Sequence, residues 1–153
     1  MEGAKKLSSD KTVKIAISVI LLTFIDIALT YGMECVILAA CSDRSRLGDC
    51  IAMIFFAGIP AVLVQVIFAV INKRLAWFDI KEICPAIAVN MFLYAALMML
   101  VFEHIPVAFS IIPSAEMGFG FLQMLIKIFA AAAAGICAVV SLIIMAVKIH
   151  DRK

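Results

Sequence analysis

Asp26 and Glu34 are the only charged residues in an apolar run of 26, Ile15 to Ala40. An aspartate in hydrocarbon costs about 3 kcal/mol or more, so it must face other helices or water, protonated or paired. A helix rises about 1.5 Å per residue, which puts Asp26 about 16 Å beyond Ile15, near the middle of a hydrocarbon layer about 30 Å thick. Glu34 falls about 28 Å in, near the far interface. Thr23 and Thr30 lie at i−3 and i+4 from Asp26, so the polar residues form one stripe that drifts toward Glu34. Chemically, such a stripe is either a site for a proton or a cation, or a hydrogen-bonded clamp that fixes helix packing.

Two amides are placed to join it. Gln65 comes seven residues before Asn72, and Asn90 comes eight after Glu82. By helical rise both reach a similar depth, so the expected intramembrane polar or ion site is Asp26, Thr30, Gln65 and Asn90. Lys127 lies 21 residues before Lys148. That is about 31 Å by helical rise, level with Glu34, so the expectation is an ion pair at the outer interface or a lysine that snorkels outward.

The cysteines offer the other chemistry. Cys41 and Cys50 bound the loop "CSDRSRLGDC" and form a candidate disulfide on the oxidising side of a membrane. The loop position resembles that of the small four-span oxidoreductases that couple thiols to quinone. Those use a Cys-x-x-Cys pair, a spacing this chain lacks. "LAAC", Leu38 to Cys41, resembles the lipobox of bacterial lipoproteins, which implies acylation at Cys41 and loss of what precedes it. The long first run with two acids in its core reads instead as an uncleaved signal anchor. Cys35, Cys84 and Cys137 read as small apolar fillers. His104 and His150 fall on opposite sides of the membrane, so no metal or haem site is expected, and no cofactor.

Four apolar runs must position these groups, at about 15–40, 51–71, 83–102 and 121–147, each long enough to cross. The chain is 66% hydrophobic and 16% charged, with a mean hydropathy of +1.18, which calls for lipid around it. Ten of thirteen basic residues flank the runs on one side, in 1–14, in the connection carrying Lys73, Arg74 and Lys81, and in 148–153. The positive-inside rule therefore puts both termini in the cytoplasm. The expected fold is an all-α integral membrane protein, a single four-helix domain over 15–147, antiparallel and up-down, with cytoplasmic tails at 1–14 and 148–153. Within it, Ser8, Ser9 or Asp10 would cap a helix starting near Lys11. Pro60 should kink the second span, and Pro85 suits a first helical turn. Ala131 and Gly135 have the small-xxx-small spacing of close helix packing.

No phosphate loop, nucleophile elbow or paired-histidine zinc motif occurs, which points away from an enzyme. Nucleic-acid binding is excluded, since the basic residues are membrane flanks and not a face interleaved with aromatics. The general resemblance is to small four-span proteins of bacterial membranes. Three functions follow: a structural or interaction protein of the cell membrane, binding a membrane protein partner or further copies of itself; a small proton- or cation-coupled transporter using Asp26; and a membrane thiol oxidoreductase using Cys41 and Cys50.

Overall fold

The computed structural model describes residues 2–41, 53–100 and 117–151, with side chains for 10–37, 53–100 and 123–151. The described residues form helices without strands: α1 (Glu2–Cys41), α2 (Ile59–Leu75), α3 (Ile80–Leu100) and α4 (Met117–His150). Among the described residues, four segments are long and apolar enough to cross a membrane: Asp10–Ile37, Met53–Leu75, Ile80–Leu100 and Gln123–His150.

Burial is inverted relative to a water-soluble domain. Phe24, Phe92, Leu100 and Ile136 are among many large apolar side chains pointing outward, whereas Asp26, Thr30, Glu34, Gln65 and Asn90 are buried. Water would penalise that outer surface heavily and hydrocarbon would not, so the side-chain distribution points to lipid independently of hydropathy. The interior also holds Ile27, Ile83, Ile87, Met91 and Tyr94, packed with Ala130 and Ala134 of α4. α3 and α4 share the most extensive contact, and α1 touches the other three helices.

α1 starts earlier than a cap near Lys11 would allow. Ser8 and Ser9 lie inside the helix, and Asp10 pairs with Lys14 at 3.7 Å one turn on, the acid-before-base order that supports a continuing helix. A helix of 40 residues is about 60 Å long, so its first turns project beyond a hydrocarbon layer of about 30 Å. Pro85 is likewise inside α3 rather than in its first turn, because the helix already begins at Ile80.

The second span is broken rather than kinked. Met53–Phe55 is helical, 56–58 is a turn, and α2 begins at Ile59 with Pro60 in its first positions. Proline has no N–H to continue a ladder, so the chain restarts there. Short-range bonds from Phe56 N to Met53 O (3.0 Å) and from Ala57 N to Ile54 O (3.1 Å) satisfy the break. It also brings Gly58 hard against α4: a Cβ there would lie 2.5 Å from Ala133 Cβ and 3.2 Å from Ala130 Cα. Close packing therefore uses Gly58 with Ala130 and Ala133, whereas a Cβ on Gly135 would meet nothing within 4 Å.

The connection between α2 and α3 is fixed from its own residues. The Asn72 side chain donates to Phe78 O and accepts from Phe78 N, both at 2.9 Å. Glu82 accepts from Asp79 N at 3.1 Å, half of a capping box for α3. Ala76 closes α2 in the left-handed region, φ 49° and ψ 38°, where a Cβ is strained. Ala76→Gly is expected to raise stability by up to about 1 kcal/mol, read as a shifted midpoint of unfolding in detergent; a loss of stability would refute the strain.

Candidate intramembrane polar site

Asp26 is fully buried and belongs to α1, but its partners come from α2 and α3. Its Oδ2 accepts from Gln65 Nε2 at 2.8 Å and from Asn90 Nδ2 at 2.8 Å. Three separate segments thus converge on one carboxylate oxygen. Thr23 extends the cluster, its hydroxyl lying 2.8 Å from Val19 O and 2.5 Å from Asn90 Oδ1, so its single proton sits between two acceptors. Asn90 therefore spends both ends of its amide, one on Asp26 and one on Thr23.

The account of donors and acceptors does not close. Asp26 Oδ1 and Gln65 Oε1 are buried and have no hydrogen-bond partner among the described residues. Two oxygens in one cluster, each able to accept, lack a hydrogen or a cation to accept from.

Of the four residues expected at this site, the structure joins Asp26, Gln65 and Asn90 directly. Thr30 goes elsewhere: its hydroxyl is 2.7 Å from Tyr94 OH, with either able to donate. Tyr94 is missing from the expectation, although it lies one turn after Asn90 and hence on the same helix face. That spacing was the available signal. Tyr94 also lies in the fields of both Asp26 and Glu34.

Glu34 forms a second cluster. Gln123 and Lys127 act on it from α4, and its Oε1 is buried with no hydrogen-bond partner among the described residues. Glu34 and Lys127 are both buried, but they do not meet as an ion pair: among the described residues the contacts within 4.0 Å are Lys11–Glu82 at 3.5 Å and Lys14–Asp10 at 3.7 Å. The candidate disulfide lies outside the described residues, since neither Cys41 nor Cys50 has a described side chain. Cys35, Cys84 and Cys137 are free thiols. Among the described residues no three His, Cys, Asp or Glu side chains gather as a metal site would require.

Compared with family models, curated proteins and solved structures, the chain matches none of them.

Proposed function

We propose that the chain is a multi-pass protein of the cell membrane whose role is interaction: a compact helical unit that binds another membrane component, as an accessory or immunity-type subunit does. The supporting observation is how the buried polar groups are used. Asp26, Gln65, Asn90 and Thr23 bond to one another across three helices, so they lock the interior instead of lining a lumen.

The proposed arrangement is an antiparallel up-down bundle with both ends cytoplasmic. In its favour, contacts between α1 and α3 rise together, from Lys11–Glu82 to Asp26–Asn90 to Thr30–Tyr94, as in helices running the same way. Contacts of α3 with α4 run oppositely, with Cys84 near Ser141 and Lys81 near Lys148. The weight of basic residues on one side supports the cytoplasmic placement.

A second reading is favoured by the two unpartnered oxygens, Asp26 Oδ1 and Gln65 Oε1. Under it the cluster binds a proton or small cation, which reaches Asp26 past the reversible Thr30–Tyr94 hydroxyl pair from the side of Glu34. Purified protein in sealed vesicles separates the two. The interaction reading expects proton, sodium and potassium fluxes equal to those of empty vesicles, for the unaltered chain and for Asp26→Asn alike. A flux that appears with the chain and vanishes in Asp26→Asn, at equal incorporation, overturns it in favour of transport.

A further inference from the structure

Two hollows adjoin at the end of the molecule where α3 begins. One is an apolar groove of about 560 Å³ between α1 and α3, whose lining includes Thr12, Val19, Lys81, Glu82, Pro85 and Val89. The other, about 150 Å³, lies between α3 and α4 and is lined by Asp79, Ile80, Lys81, Lys148 and Ile149. Lys81 borders both. Pro85 and Val89 continue the groove inward from Lys81, and eight residues of helix make that stretch about 12 Å long.

The charges at this end are unevenly spent. Glu82 is engaged by Lys11 at 3.5 Å, whereas among the described residues neither Lys81 nor Lys148 has an acidic group within 4.0 Å. Asp79 is the single acid in the lining of the smaller pocket, against two lysines. The combination is a pocket of net positive charge opening onto an apolar channel that runs toward the middle of the span. Paired lysines suit a phosphate, and the channel suits a hydrocarbon chain. A soluble anion would use only the first, and a neutral lipid only the second.

We propose that this composite site holds one anionic phospholipid, its phosphate between Lys81 and Lys148 and one acyl chain along the α1–α3 groove. The proposal rests on the membrane reading above, and it gives the proposed interaction protein a specific lipid partner. Binding there would bridge α1, α3 and α4 at one end. α4, which supplies no residue to the Asp26 cluster, would be tied by the lipid to α1 and α3 at this end.

The test uses the full chain in non-ionic detergent, with phosphatidylglycerol and phosphatidylcholine of identical acyl chains as probes and native mass spectrometry as the readout. Phosphatidylglycerol is expected to bind about thirtyfold more tightly than phosphatidylcholine, a preference of the size two juxtamembrane lysines confer. Lys81→Gln with Lys148→Gln should abolish that preference, and Ala16→Trp, at a position that also lines the groove and would fill it, should weaken both lipids. Both lysines are exposed, so their replacement is not expected to unfold the chain. Equal affinity for the two lipids, an unchanged preference in the double lysine variant, or dimerisation through this face without lipid selectivity would each overturn the proposal. A chain that stays folded and dissolved without detergent would instead overturn the membrane reading beneath it.

Discussion

Replacing both Gln65 and Asn90 with leucine is expected to remove about 2 kcal/mol of stability or more, because two hydrogen bonds to the buried Asp26 are lost and each is worth about 1 kcal/mol. The damage should depend on Asp26. Once neither amide donates, Oδ2 joins Oδ1 in having no partner, and the carboxylate is stranded where water cannot reach it. If Asp26→Leu is added, the stranded group is gone and apolar side chains fill the space, so the triple variant should recover most of the loss. Equilibrium unfolding in mixed micelles measures each term of the cycle. Additive effects across Asp26 and the amides would show that the cluster is not a coupled unit.

Gly58→Ala is the second large effect, expected at about 2 kcal/mol by overpacking. The new Cβ would overlap Ala133 Cβ at 2.5 Å and press on Ala130 Cα at 3.2 Å, both on α4. Backbone on one side of that contact cannot rotate away as a side-chain tip can. The tilted ring pair of Phe55 and Phe129, with centroids 4.5 Å apart and planes at 58°, holds the same two segments together close by. Ala133→Gly should cost about 1 kcal/mol alone, glycine's ordinary penalty in a helix. Added to Gly58→Ala it should be stabilising, since it removes the overlapping atom. A double variant less stable than either single one would mean that the segments are not pressed together at this point.

Both effects depend on which helix faces which, and that separates what was legible in the residues from what was not. Hydropathy over windows of about 20 residues is a local property, so the four apolar segments and the depth of each polar residue could be read directly. Depth is a count along one helix, which is why Asp26, Gln65 and Asn90 could be expected at one level before their contacts were known. Rotation about the helix axis is not given by that count. Thr30 lies one turn from Asp26 at nearly the right depth, yet it bonds Tyr94, because α3 presents Asn90 to Asp26 and then, one turn later, Tyr94 to Thr30.

The same distinction explains the helix boundaries and the small-residue contact. Pro60 announces an interruption in any setting, but whether a helix bends or restarts depends on what can satisfy the freed backbone groups. Here short-range bonds at 56–59 do so, and α4 accepts the exposed turn because Ala130 and Ala133 leave room for Gly58. Ala131 and Gly135 have the pattern of a close contact without a partner helix opposite Gly135. Spacing alone therefore determined the number of apolar segments, the polar residues they carry and how far along its segment each one lies. Tertiary structure decided which of those residues touch, since partner choice is set by how side chains from different helices interdigitate, a quantity no single segment contains.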